Sequence, residues 1–429
     1  MIMSILQRYT ALRDYVAKNF SSTTVEMVDH ALRFADEHLS EYERYDHTPM
    51  LDHGVGVAHI VIKDIGLGRN SAIASIIHDV VRIAIQQSQP TNELFNAIRH
   101  DYGEEVLGIV LALCKISDIK LKVSKEQASD FRDMIVSYSE DPRVILIKLA
   151  DRLEVMRSLD IFPEAKRRTK SWESLNLYAQ IAHKLGLYAI KSELEDLSLK
   201  YLETEAYNHI VHELKESEKE RMAFIEEFLK PIRELLDRDG LKYHIKSRTK
   251  SVYSIFQKMR KQKVSFKGVY DIFALRIIID CPVEREKALC WTVYSHVASL
   301  YTPNPERMRD WISIPKSNGY ESLHTTVSAG GGKWVEVQIR TERMDEVAER
   351  GIAAHWRYKG VKQGGMGAEE WLQRLREMLE DTTSESIAHR FSERPTTNEI
   401  FVFTPSGDIR KLPEGATVLD FAFDIHTSL

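Results

Sequence analysis

Hydrophobic positions recur at helical spacing through residues 1–190. In LIKLADRLEVMRSL, Leu146, Leu149, Leu153 and Met156 fall on one side of a helix, and Gly and Pro are scarce. The run SAIASIIHDVVRIA predicts another helix, with Asn70 placed to cap its start. From 191 to 237 the helical spacing persists, but 13 Asp or Glu stand against seven Lys or Arg, the pattern of a solvated linker helix. The period changes near Gly240. GVYDIFALRIIID, bounded by Gly268 and Pro282, predicts a buried strand. Lys333–Arg340 alternates strictly, with Val335, Val337 and Ile339 on one face and Glu336, Gln338 and Arg340 on the other. Helical spacing returns at Glu342–Ala354. After a flexible break at 360–367 (GVKQGGMG), a charged helical stretch and a Thr-rich linker lead to EIFVF, a turn at PSGD, a short strand, a turn at PEG and a helix start in TVLDFAFDIH. The expected fold class is α+β multidomain. An all-α domain spans 1–190, a helical linker 191–237, a mixed α/β domain 238–360, a linker 361–397 and a partial domain 398–429. No internal repeat of fixed period is visible.

A chain of 429 residues has room for about three domains. With 43% apolar and 29% charged residues it is neither disordered nor fibrous. A balance of 59 Lys and Arg against 64 Asp and Glu excludes a surface that is one nucleic-acid clamp, while leaving room for local basic patches. Cys114, Cys281 and Cys290, with no CxxC, argue against a disulfide framework or a cysteine-based zinc site and suit a reducing cytoplasm. The apolar run Val106–Cys114 is too short to span a bilayer, and MIMSILQRYT does not read as a secretory leader. The expectation is a soluble cytoplasmic protein with no membrane partner. Leu429 falls at no recognisable terminus and reads as the end of a truncated sequence.

Charge then singles out the mixed domain. Between Leu241 and Arg276 lie ten Lys or Arg and one acid, Asp271. The Glu336, Gln338, Arg340 face is either a solvated outer face or the lining of a polar pocket. Asp271 is either a structural ion-pair partner or, with Glu336 on an adjacent strand, one of two carboxylates for Mg²⁺, an ion whose octahedron substrate phosphates complete. Arg248, Lys250, Lys258, Arg276, Arg307, Arg309, Lys316 and Arg340 could neutralise a nucleoside triphosphate and a second phosphorylated substrate. Nucleic-acid binding competes, but the cations are interleaved with acids and glycines rather than forming one stripe. In PKSNGYESLHTT, an exposed Tyr320 beside Gly319 offers a ring to a purine, Asn318 could read the base edge, and Lys316 could reach phosphate. In the N-terminal domain His53, His78, Asp79 and Asp151 follow the order H…HD…D, suited to Mn²⁺ or another divalent ion, or else are buried structural groups.

The segments RTKSVYSIFQKM, YDIFALRIII, RMRDWISIPKSNGYESLHTTV and VEVQIRTERMDEVAERGIAAHWRYK resemble the RelA/SpoT family of (p)ppGpp synthetases, in order and at the family's spacing. The resemblance implies a nucleotidyltransferase-like fold and transfer of the pyrophosphate of ATP to the ribose 3′-OH of GDP or GTP in the stringent response. It assigns Asp271 and Glu336 to Mg²⁺, with Glu336 also the candidate base, and Tyr320 to guanine stacking. It assigns Lys316, Asn318 and His324 to the acceptor and Arg248, Lys250 and Lys258 to ATP. Gln338 and Arg340 lie in the family's strand motif. The loop Arg307-Met308-Arg309-Asp310 is of the basic type found in bifunctional members.

RYDHTPMLDH, SIIHDVV and IKLADRLEVMRSL resemble the family's HD-type (p)ppGpp hydrolase domain, with Arg44 in its place nine residues before His53. The resemblance implies Mn²⁺ on His53, His78, Asp79 and Asp151. Active hydrolases continue HDVV with Glu-Asp, where this chain has Arg82-Ile83, and read DRLHNM where this chain has Val155 for the Asn. Those losses remove the carboxylates that activate water, so the expectation is a metal site in a degenerate hydrolase domain. Residues 398–429 resemble the start of a TGS domain, a β-grasp module. For the full-length chain the resemblance implies ribosome and tRNA contacts. The leading reading is a (p)ppGpp synthetase with ppGpp as product or regulator. The alternatives are a bifunctional enzyme or Mn²⁺-dependent pyrophosphohydrolase, and a non-catalytic ribosome- and tRNA-associated nucleotide sensor.

Overall fold

The computed structural model of the chain describes residues 9–117, 141, 143–269, 272–316, 319–330, 333–350, 399–403, 409–413, 416–418 and 420. Asp271, Asn318, the expected linker 361–397 and the C-terminal turns lie outside them. The chain divides into two compact units, Met1–Ile181 with Gly365–Leu429, and Ala182–Gly364. The all-α first part and mixed α/β second part agree with the expected fold class.

In the first unit the helices are α1 (Thr10–Asn19), α2 (Ser22–Leu39), α3 (Leu51–His59), α4 (Arg69–Gln86), α5 (Asn92–Tyr102), α6 (Glu104–Ser117), α7 (Arg143–Arg157) and α8 (Glu164–Glu173). Helix α4 is apolar on nearly every side because α2, α3 and α6 all pack against it. Its Ile73, Ile76, Ile77, Val80 and Val81 are buried with Leu32, Val57 and Val110; each such side chain contributes about 1.5–3 kcal/mol by leaving water. The stripe Leu146, Leu149, Leu153 and Met156 is buried along α7. A Cβ on Gly54 would stand 2.8 Å from the carbonyl oxygen of Ile76. Glycine therefore lets α3 lie close on α4, which brings His53 beside His78. Asn70 is not the cap: α4 begins at Arg69 after Gly68, with no side-chain cap. The Asn70 amide instead donates across to Glu105 on α6 at 2.9 Å. The C-terminal segment forms an antiparallel pair, β6 (Glu399–Phe403) with β7 (Ile409–Pro413), numbered after the strands of the second unit.

The second unit contains α9 (Tyr188–Leu202), α10 (Thr204–Glu216), α11 (Glu218–Arg238), β1 (Tyr243–Thr249), α12 (Val252–Gln262), β2 (Phe273–Ile279), α13 (Glu286–Leu300), β3 (Arg309–Asp310), β4 (Leu323–Ser328), β5 (Trp334–Thr341) and α14 (Glu342–Arg350). The segment 191–237 corrects the reading of a solvated linker. It forms most of α9 with α10 and α11, and Ile225, Phe228, Leu229, Ile232 and Leu236 of α11 are buried in the core under the sheet. Their i, i+3, i+4, i+7 spacing is an apolar stripe that a count of acids overlooks, because the acids occupy the other faces.

The sheet order is β1-β2-β5-β4-β3, with β2 and β5 parallel and every other pair antiparallel. Leu275, Ile277, Ile279, Val335, Val337 and Ile339 point into the core with α11 and α13. A strand has period two, so the alternate residues emerge together on the opposite face. Register places Lys246 beside Arg276, Arg276 beside Gln338, Gln338 beside His324, and His324 beside Arg309. The neighbouring row runs Arg248, Ala274, Glu336, Thr326.

Candidate functional site

The polar face of the sheet gathers much of the predicted chemistry. Glu336 accepts from Lys250 Nζ at 2.9 Å and from Gln338 Nε2 at 2.8 Å, and its Oε1 lies 3.7 Å from His324 Nδ1. Burial works against the Glu336 carboxylate, yet Lys250, Gln338 and His324 outweigh it and hold the group below the ordinary carboxylate range. Burial pushes His324 down to about 4, with surrounding cations assisting against Glu336. The imidazole is therefore neutral near pH 7, and its Nε2 shares a hydrogen bond with Tyr320 Oη at 2.6 Å. Arg276 Nε donates to Gln338 Oε1 at 3.3 Å, which turns the Gln338 amide nitrogen toward Glu336.

The remaining predicted residues divide. Arg248, Lys250 and Lys258 are half-buried on β1, after it and on α12. Tyr320 is not exposed: it is 8% accessible, with Tyr188 and His324 set edge-on at 5.9 and 5.8 Å between ring centroids. Gly319, at φ +75°, makes the turn that carries it inward. Lys316 stands 4.8 Å above the Trp311 ring and 5.1 Å from that of Tyr320, and burial lowers its pKa. Arg340 follows the alternation but is 1% accessible, its Nη2 2.6 Å from Asp345 on α14. It is a buried ion-pair member rather than an open cation. Arg307 and Arg309 are exposed, and Arg309 donates to the carbonyls of Glu306 and Met308. Asp310 accepts from the backbone of Ile312 and Ser313, shaping the turn before Lys316. Asp271 and Asn318 lie outside the described residues.

In the first unit, ligand atoms of His53, His78 and Asp151 lie within 4.8 Å of one another. His78 Nδ1 donates to the Ser75 carbonyl at 2.7 Å, so Nε2 is the nitrogen left for a ligand. His53 Nδ1 is hydrogen-bonded to Glu154, and its Nε2 is 3.2 Å from Asp151. Asp79 Oδ1 is 3.3 Å from His78 Nε2, while its buried Oδ2 has no hydrogen-bond partner among the described residues. Converging donors and an orphaned carboxylate oxygen fit a divalent ion. Competing cations are already in place: Arg82 Nε is 2.7 Å from Asp79, and Lys148 Nζ is 2.5 Å from Asp151. Burial lowers His53, but hydrogen bonds to Asp151 and Glu154 prevail and raise it to about 10, so a bound ion must displace a proton there.

These groups open on a cavity of about 1070 Å³ that also exposes Arg152, Lys166 and Lys170. Burial, with Arg152 assisting, pushes Lys170 down to about 8. Arg44 holds Glu154 at 2.9 Å and Ser158 at 2.6 Å.

Sequence reasoning singled out neither Lys148 nor Glu154 as site residues here, nor Tyr188, Asp345 or Glu349 on the sheet side. The spacing of Lys148 to Asp151 was a usable signal, since residues three apart face each other on a helix. Glu349 carried no local signal, because the cations it meets come from three strands. No helix among the described residues is long and apolar enough to cross a membrane.

Comparison with known proteins agrees with this division. The family described as a region found in RelA / SpoT proteins matches residues 247–363, an HD domain matches 31–188, and a TGS domain matches 400–429. A guanosine-3′,5′-bis(diphosphate) 3′-pyrophosphohydrolase of Aquifex aeolicus is 38% identical over 94% of this chain and 56% of its own length. A GTP pyrophosphokinase of Myxococcus xanthus is 38% identical over 89% of this chain and 50% of its own. The bifunctional (p)ppGpp synthase/hydrolase SpoT of Escherichia coli is 37% identical over 89% and 53%. The chain thus spans about half the length of these curated relatives. With HD, RelA/SpoT and TGS segments in that order and relatives of this identity along most of its length, the chain belongs to the long-form RelA/SpoT family.

Proposed function

We propose that this chain is a (p)ppGpp synthetase, a GTP diphosphokinase that transfers pyrophosphate from ATP to the ribose 3′-OH of GDP or GTP, and that its HD domain is hydrolytically silent. The observation that carries the synthetase reading is Glu336, an ionised carboxylate on a sheet face against Lys250, Gln338 and His324, with Arg276 joined to it through Gln338 and Arg248 further along the same face. In-line attack of the 3′-hydroxyl on the β-phosphorus of ATP expels AMP. The hydroxyl needs a proton acceptor, and Glu336 is the candidate. Lys250 and the arginines offset charge on the triphosphate, while Tyr320, Lys316 and His324 border the acceptor subsite. An ionised carboxylate is the donor type a magnesium ion takes, so Glu336 would hold such an ion together with Asp271, and the ion would neutralise the transferred group.

The silent HD domain rests on Arg82. A guanidinium against Asp79 stands where active relatives place a carboxylate, so the site has a cation in place of a proton acceptor. A bifunctional reading is favoured by one observation, the intact convergence of His53, His78 and Asp151 with the orphaned Asp79 oxygen. Incubation with ATP and GDP plus Mg²⁺, and separately with ppGpp plus Mn²⁺, followed by nucleotide separation, tests both. Tetraphosphate formation in the first and unchanged ppGpp in the second are expected. No product in the first overturns the synthetase assignment, and rapid pyrophosphate release in the second overturns the silent hydrolase.

A further inference from the structure

Glu349 lies on α14, in the segment that follows β5 but with no role assigned to it so far, and its carboxylate meets three guanidinium groups from three strands. Its Oε1 is 2.5 Å from Arg276 Nη1 on β2, 3.5 Å from Arg248 Nη1 on β1 and 3.9 Å from Arg340 Nη2 on β5. Like charges so close repel: Arg276 lowers the pKa of both Arg248 and Arg340, second only to burial in each. An anion among them offsets part of that repulsion. Glu349 also begins a chain of side chains. Arg276 reaches Glu349 through Nη1 and Gln338 through Nε, and Gln338 donates to Glu336. Two anchored ends fix the Arg276 plane, and that plane decides which end of the Gln338 amide faces Glu336.

We propose that Glu349 is a positioning residue of the synthetase site, a carboxylate that gathers the three arginines and, through Arg276 and Gln338, orients Glu336. The proposal rests on the synthetase reading above. A second way to use the same carboxylate is as a resident anion that ATP must displace, and the two make opposite predictions for ATP. Loss of a positioning anion loosens the cations and the chain to Glu336, so turnover falls and ATP binds more weakly. Loss of a mere competitor leaves turnover intact and tightens ATP.

The test is steady-state kinetics of the full chain carrying Glu349→Gln, Glu349→Asp, Gln338→Leu and the double variant Glu349→Gln/Gln338→Leu. For Glu349→Gln, kcat is expected to fall about tenfold and the KM for ATP to rise about fivefold, with the KM for the acceptor nucleotide within about twofold. Glu349→Asp keeps the charge and recovers most of kcat. The double variant costs no more than the worse single one, because both cut the same chain. A normal kcat and ATP KM in Glu349→Gln would overturn the proposal. So would a lower ATP KM at full turnover, or costs that multiply in the double variant. If the wild type makes no product, the synthetase assignment falls by itself. The positioning role is then read from binding of a non-hydrolysable ATP analogue, expected about fivefold weaker in Glu349→Gln, and equal affinity overturns it.

Discussion

The two clusters of ionisable groups in this protein use charge in opposite ways. In the helical unit, Asp79 and Asp151 each carry a cation three residues away on the same helix, Arg82 and Lys148, and His53 is held protonated between two carboxylates. The groups that would hold a metal are already neutralised. On the sheet face Glu336 also has a lysine, but its cations come from separate strands and extend beyond it to Arg248 and Arg276. Ion pairs closed within a helix leave little charge on the groups nearest the metal position, whereas cations converging from several strands leave a surplus beside Glu336 that a polyphosphate can take up. Motif identity marks both places as candidate sites, and the pairing shows that their charges are arranged differently.

The sharpest way to break this contrast is at Glu336. Glu336→Gln keeps shape and removes the acceptor, so synthesis from ATP and GDP should fall about 10³-fold in a product assay. Near-normal turnover would remove the sheet face from the chemistry. The converse change is at Arg82: restoring the carboxylates with Arg82→Glu/Ile83→Asp/Val155→Asn should raise Mn²⁺-dependent pyrophosphate release from ppGpp about 10²-fold. An unchanged rate would show that the resident guanidinium is not what silences the helical cluster.

Smaller effects sharpen the comparison. Tyr320→Leu should raise the acceptor KM about tenfold through loss of its support of His324 and Lys316, with a smaller change in kcat, and equal changes in KM for ATP and acceptor would place Tyr320 elsewhere. In the helical cavity Lys170 titrates near 8, so it is charged at pH 7 and largely neutral at pH 9. Affinity for a phosphorylated nucleotide, followed by calorimetry, should drop about threefold over that interval, a modest loss for one partly screened charge. The drop should vanish in Lys170→Met, and its persistence there would assign the titration to another group.

Much of the fold was legible because burial imposes a period. The stripe on α7, the alternation of β5 and the apolar β2 are each set by which face must leave water. The reading of 191–237 failed for an instructive reason. Net charge describes the solvated positions of an amphipathic helix and says nothing of the stripe, and α11 buries five large side chains beneath the sheet while remaining acidic outside. The cap at Asn70 failed because a side chain that suits a cap is equally able to reach a neighbouring helix, and α6 placed Glu105 within reach.

Sequence by itself determined the helical and mixed halves and the faces of the strands, and it nominated His53, His78, Asp151 and Glu336 as candidates. Those follow from local periodicity and side-chain chemistry, which act over a few residues. Tertiary structure alone decided that Tyr320 turns inward, that Arg340 is sealed against Asp345, and that Glu349 meets arginines from three strands. Ionisation and hydrogen bonding depend on distances across the sheet, and those distances exist only once register and packing bring remote segments together.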